Sequence, residues 1–371
     1  MRGPTARPIV IAAGGTGGHV FPAEALAAAL VARGERVVLM TDARSSALES
    51  PVFAGRERVV LSGAGLAGRG ARRAARALVA LGAGTAQARR VLARLDARAV
   101  VAFGGYPSVP PVLAARSLAR RPVVVLHEQN AVLGRANRFL ASRADALALS
   151  FAETARVPSG ARTVLTGNPV RPAVAAIAPY TAPDEGGALR LLVLGGSLGA
   201  RVFSDVLPDA AAVLPKALRA RLHVVQQCRA EDLERVGAAY AAIDVPAKLG
   251  AFFPDVAARL AEVHLVIARA GASTVAELAV AGRPAILVPL PGAIDDHQSA
   301  NARALADAGA AAMLAQPALT SPILAARLSA LLDVPARLDA MARAARGQAR
   351  PDAAQRLADL IDTLMAQEAR A

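Results

Sequence analysis

The 371-residue sequence has no tryptophan, one cysteine and an aromatic content of 3%. So few flat side chains leave few platforms on which single-stranded nucleic acid could stack its bases. The lone Cys228 cannot close an internal disulfide, which points to a reducing compartment. Lysine is nearly absent, Lys216 and Lys248 being the two present. Arginine therefore carries the net charge of +14. Biased genomic base composition produces such Arg and Ala richness, so the charge is discounted as a sign of nucleic-acid binding. It still favours acidic partners: anionic lipid, phosphorylated substrates or nucleic acid. Long apolar runs are also missing. The uncharged window 99–115 is broken by Gly104-Gly105 and Pro110-Pro111, so it reads as a strand and a loop rather than a membrane span. No signal peptide is expected, because the first ten residues lead almost at once into a strand.

Apolar residues are plentiful, at 54%, and they are patterned. Short β-branched runs alternate with long Ala-rich helical stretches. Strands are expected at 8–13, 37–41, 99–103, 122–127 and 146–149, with a helix from about 21 to 33 after the first. A Pro/Gly-containing stretch from 167 to about 187 then separates two halves. Strands resume at 189–194, 222–226, 248–252, 264–268 and 284–289, and helices close the chain from Ser321 onward. Strands alternating with helices imply parallel sheets covered on both faces. Each half opens with an apolar strand, a glycine loop and a helix. The expectation is an α/β protein of two Rossmann-like domains facing a central cleft, residues 1–168 and 169–371, the terminal helices free to pack back on the first.

The first glycine loop is Gly14-Gly15-Thr16-Gly17-Gly18, followed by His19. It lacks the Gly-x-Gly-x-x-Gly dinucleotide order and the Lys-Ser/Thr ending of a P-loop. The second, Gly195-Gly196-Ser197-Leu198-Gly199-Ala200, lacks both as well. Each still lies between a strand and a helix, where free N–H groups and the helix dipole suit an anion. A tight turn without ligand is the plainer reading of one such loop; two in matching places weaken it. A third candidate is Arg269-Ala270-Gly271-Ala272-Ser273-Thr274-Val275-Ala276-Glu277, after the 264–268 strand. Thr274 and Glu277 have capping-box spacing. Equally, the segment could receive a diphosphate on its N–H groups, with Glu277 accepting from ribose hydroxyls.

Seven motifs occur in order: GGTGGH at 14–19, GGYPSVP at 104–110, HEQNA at 127–131, GNPVR at 167–171, GGSLGA at 195–200, RAGASTVAE at 269–277 and DDHQSANA at 295–302. Together, over roughly 9–312, they resemble the MurG family, the N-acetylglucosaminyltransferases of bacterial peptidoglycan synthesis. The resemblance implies a GT-B fold and an inverting transferase. The donor would be UDP-N-acetylglucosamine, the acceptor the polyprenyl-linked muramyl-pentapeptide pyrophosphate lipid I, and the product lipid II.

The resemblance also implies roles. Gly14, Gly15, Gly104, Gly105 and Tyr106 would face the acceptor. Thr16, Gly17, Gly18, Asn130, Arg171, Ser197, Phe253, residues 272–277 and Gln298 would bind the donor. A base must take the proton of the muramyl C4 hydroxyl, and histidine has a suitable ordinary pKa. His19 is the first candidate; His127 and Glu128 are the others. His223 and His264 lie within strand patterns and read as structural. No Asp-x-Asp pair is present and Asp295-Asp296 are adjacent, so no metal or other cofactor is expected. Helix N-termini, Ser197 and Arg171 would carry the leaving diphosphate's charge.

A polyprenyl acceptor stays in its bilayer. Residues 58–95 contain no acidic residue, and Arg69, Arg72, Arg73 and Arg76 adjoin Leu78, Val79 and Leu81. This reads as a basic amphipathic face for an anionic leaflet, although a solvated face in an Arg-rich protein would look similar. The expected location is peripheral, on the cytoplasmic face of the inner membrane, with other cell-wall or division proteins as further partners. A UDP-N-acetylglucosamine epimerase would share the two-domain architecture without a lipid. Another glycolipid transferase would keep the basic face without the GGYPSVP and HEQNA pair. A nucleic-acid binder is disfavoured by the motif order.

Overall fold

All strands of the computed structural model pair in parallel. It describes residues 7–15, 17–43, 50–61, 71–196 and 199–370, and of 71–75 the backbone alone. Two units divide the chain, Met1–Arg171 with Arg350–Ala371, and Pro172–Ala349. The whole GNPVR stretch stays with the first unit rather than being cut after residue 168.

The first unit runs β1 (Ile9–Ala12), α1 (Gly17–Ala32), β2 (Val37–Thr41), β3 (Arg58–Val60), α2 (Ala71–Leu95), β4 (Ala99–Ala102), α3 (Val109–Arg116), β5 (Val123–Glu128), α4 (Arg135–Leu140), β6 (Ala146–Leu149) and β7 (Thr163–Leu165). The sheet order is β3-β2-β1-β4-β5-β6-β7. The central strands are continuous apolar runs because both faces are covered. Ile9 and Ile11 point to one face, against Leu26 and Leu30 of α1 and Leu357 and Ile361 of the terminal helix. Val10 and Ala12 point to the other, with Leu92 of α2, Val112 of α3 and Leu140 of α4. Helix α1 begins at Gly17, earlier than periodicity suggested, so His19 lies in its first turn.

The second unit runs α5 (Pro172–Ala175), β8 (Leu189–Leu194), α6 (Arg201–Ala212), α7 (Lys216–Arg219), β9 (Leu222–Gln227), α8 (Leu233–Ala241), β10 (Ala247–Gly250), α9 (Val256–Glu262), β11 (Leu265–Ala268), α10 (Ala272–Ala281), β12 (Ala285–Leu287), α11 (His297–Asp307), β13 (Ala311–Met313), α12 (Ser321–Leu332) and α13 (Pro335–Gly347). The terminal α14 (Ala353–Glu368) belongs to the first unit, where it packs on α1. The second sheet has the order β10-β9-β8-β11-β12-β13. In both sheets the order reverses beside the opening strand, between β1 and β4 and between β8 and β11. Ligands of open α/β sheets bind outside the strand C-termini at such points. All three glycine-containing candidates leave strands that flank these two reversals.

Candidate active site

In the first unit the loops after β1, β4 and β5 converge on His19. Gly104 and Gly105 have φ of 84° and 70°, a region that favours glycine. A Cβ on Gly104 would lie 3.5 Å from His19 Cε1 and 3.4 Å from Asn137 Nδ2. One on Gly105 would lie 3.5 Å from His19 Nε2. Two glycines thus leave the outer edge of the imidazole uncovered. Its Nδ1 is 3.0 Å from Gln129 Oε1. The Gln129 amide nitrogen is 3.0 Å from His127 Nδ1, and His127 Nε2 is 3.0 Å from the Gly167 carbonyl.

His127 and Glu128, the alternative bases, do not face outward. His127 is 0% exposed, its ring 5.1 Å from that of Phe103. Burial lowers its pKa to about 4, so the ring is neutral near pH 7. Glu128 is 2% exposed. Its Oε1 accepts from the backbone and side-chain amides of Asn130, and its Oε2 from Gly134 N–H and Asn137 Nδ2. The carboxylate therefore folds the loop after β5 and is no candidate for meeting a substrate hydroxyl. Asn130 is held by that grip. Tyr106 carries a buried hydroxyl with no partner among the described residues, and desolvation raises its pKa. Arg171 lies over the Phe21 ring at 5.2 Å, beside α1. Gly14 and Gly15 form the turn after β1, with Gly15 at φ 86°. Gly17 and Gly18 open α1; Thr16 lies outside the described residues.

In the second unit Gln227 ties two candidate loops together. Its Oε1 accepts from Gly195 N–H, and its amide donates to the Gly196 and Ala251 carbonyls. This links the glycine turn to the segment before Phe253, whose ring carries the Arg259 guanidinium at 4.0 Å. Ser197 lies outside the described residues. After β11 the N-cap of α10 is Gly271, without a side-chain cap. Thr274 is inside the helix, so the capping-box reading of Thr274 and Glu277 does not hold. Val275 N–H bonds back to Gly271 O, so the first turn of α10 opens directly from the loop after β11. Ala276 and Glu277 follow in the next turn, Glu277 being buried. Arg269 anchors the loop by donating to the Val288 and Pro289 carbonyls and to Gln316. Asn301 Nδ2 donates to Ala270 O. Gln298 Oε1 accepts from Leu290 N–H. His223 is exposed on β9, whereas His264 accepts Arg190 N–H through Nδ1.

Gln227 and Asn137 were not picked out from sequence, and Arg269 and Gln129 lay within quoted motifs without a role of their own. Their role is to hold loops, and lone amides and arginines carry no spacing signature.

Profiles of the glycosyltransferase family 28 N-terminal and C-terminal domains match residues 9–149 and 190–357. The chain belongs to the MurG family, within glycosyltransferase family 28. It is 62% identical to the UDP-N-acetylglucosamine--N-acetylmuramyl-(pentapeptide) pyrophosphoryl-undecaprenol N-acetylglucosamine transferase of Granulibacter bethesdensis, over 96% of this chain and 93% of that one. A protein of the same description from Acidiphilium cryptum is 55% identical across the full length of both. The crystal structure of Acinetobacter baumannii MurG superposes with a TM-score of 0.78 at 33% identity, covering 96% of this chain and 100% of the other. The two parallel-sheet units are those of the GT-B fold. A Listeria monocytogenes protein described as a putative UDP-N-acetylglucosamine 2-epimerase gives a TM-score of 0.67 at 16% identity. Architecture is therefore common to the transferase and its rival.

Within the family's frame α2 presents Leu78 and Val79 at 67% and 72% exposure, with Arg76 exposed beside them. Leu81, expected on the same face, packs against the core of the first unit instead, because it lies on the Ala77–Ala88–Leu92 side of the helix. Arg69 and the side chains of Arg72 and Arg73 lie outside the described residues. No helix among the described residues is long and apolar enough to cross a membrane.

Proposed function

We propose that this protein transfers N-acetylglucosamine from UDP-N-acetylglucosamine to the muramyl C4 hydroxyl of lipid I, inverting the anomeric centre and giving lipid II. The observation that carries the activity is the 62% identity to a curated transferase across nearly the whole chain. His19 takes the hydroxyl proton. The oxygen's electron pair forms the glycosidic bond, and the anomeric C–O bond breaks with its pair leaving on UDP. The first unit holds the acceptor and the base, with Asn130 and Arg171 on the donor. The second holds the nucleotide, the N-terminal turn of α10 facing its charge. No metal is required. The protein works from the cytoplasmic face of the inner membrane, meeting anionic lipid through Arg76, Leu78 and Val79. Phe139 of α4, 51% exposed under the Arg143 guanidinium at 5.0 Å, adds the aromatic that α2 lacks.

Purified protein, labelled UDP-N-acetylglucosamine and a short-chain lipid I analogue test this. Labelled lipid II analogue is expected, with and without EDTA. Epimerised sugar from donor alone would favour the epimerase. Activity abolished by EDTA and restored by magnesium would overturn the metal-free account.

A further inference from the structure

The hydrogen-bonded chain behind His19 ends on a group that can only accept. The Gly167 carbonyl has no proton, so His127 Nε2, 3.0 Å away, carries the ring hydrogen. A neutral imidazole has one such hydrogen, which leaves His127 Nδ1 a bare acceptor. The Gln129 side-chain nitrogen lies 3.0 Å from that Nδ1 and 3.1 Å from the His127 carbonyl. Both neighbours accept, so this end of Gln129 must be the NH2 group. The amide oxygen is then turned to His19 Nδ1, 3.0 Å away. An amide oxygen accepts, so His19 Nδ1 carries the hydrogen.

We propose that Gln129, anchored by His127, is a positioning residue that holds His19 as the Nδ1–H tautomer and leaves Nε2 as the nitrogen that takes the acceptor's proton. This rests on the reading of His19 as the base. Two further observations fit. Gln129 and His127 are 1% and 0% exposed, so neither contacts a substrate itself. Gly105 leaves space beside Nε2, where any side chain would begin 3.5 Å away. The proton arithmetic is also simple. When Nε2 gains the hydroxyl proton, His19 becomes imidazolium, and its Nδ1–H continues to donate to Gln129. The chain therefore needs no rearrangement during the step. The nearest carboxylate on this loop, Glu128, is turned to Asn130, Gly134 and Asn137 and does not enter the chain.

Nitrogen-15 NMR of the full-length protein, labelled at its five histidines, reads the tautomer directly. A spectrum of His19→Gln assigns the His19 signals. At pH above the imidazole titration, His19 is expected with a protonated Nδ1 and a bare Nε2. In Gln129→Leu, with folding checked by its melting curve, the two tautomers should mix. Its kcat should fall about 10- to 100-fold, with the donor KM changed less than about 2-fold. An Nε2–H tautomer in the unaltered protein overturns the proposal without any variant. A fall in kcat with the tautomer unchanged also overturns it, by making Gln129 merely structural. Full turnover by His19→Ala would instead remove the base reading, so the two failures are told apart.

Discussion

His127 contributes to stability as well as to the site, and the sign follows from its burial. Its folded pKa is lowered from 6.5 to about 4, chiefly by desolvation. The unfolded chain therefore binds the proton first as pH falls. The stabilisation is complete above about pH 6.5 and is lost on the way to pH 4, on the order of 3 kcal/mol for such a shift. Urea titrations at pH 7 and pH 4.5 check this, with His127→Asn as the comparison. The variant should lose less stability between the two pH values than the unaltered protein. Equal losses would mean that His127 titrates normally when folded. At this scale the sequence was half legible. HEQNA marked the loop whose Gln129 meets His19, but which of its side chains reaches outward depends on burial. A strand ending at Glu128 turns His127 into the core, and Glu128 spends its four acceptor contacts on the loop.

Most central strands were readable because they are short, β-branched apolar runs. The edge strands β3, β7 and β13 were not. Each has three residues, and edge strands lack the two-sided burial that makes a continuous apolar signal. Helix α10 shows a subtler failure. Thr274 and Glu277 have the spacing of a capping box, yet the chain enters the helix earlier, at Gly271. Glycine at the N-cap has no side chain of its own to cap the first turn, which suits an anion site. With the capping alternative gone, a binding role for Glu277 has a clear expectation. Glu277→Ala should weaken UDP binding by about 1.5–3 kcal/mol, the range for hydrogen bonds to a charged group. Calorimetric titration with UDP measures it, beside a melting curve. Unchanged affinity would sink the ribose role.

On the scale of the molecule, the same plan appears twice, and the proposed function gives the base to one copy and the nucleotide to the other. Both sheets reverse their order beside the opening strand, and both reversals are lined by glycine turns. What distinguishes the first copy is its outer helix. The buried positions of α2, Ala77, Ala88 and Leu92, leave Leu78 and Val79 on the opposite side with nothing covering them in this chain among the described residues. Arg76 lies next to them, and net charge is strongly positive. A basic residue near an anionic leaflet contributes about 1 kcal/mol, and the apolar pair adds burial in the interface. The triple change Arg76→Gln, Leu78→Ser, Val79→Ser alters surface positions, so melting should barely move. Sedimentation with anionic vesicles should drop, most at low salt, where screening is weak. Transfer to a water-soluble acceptor should persist, while transfer to bilayer-embedded acceptor should fall. Identical vesicle binding by both proteins at low ionic strength would make this face merely solvated.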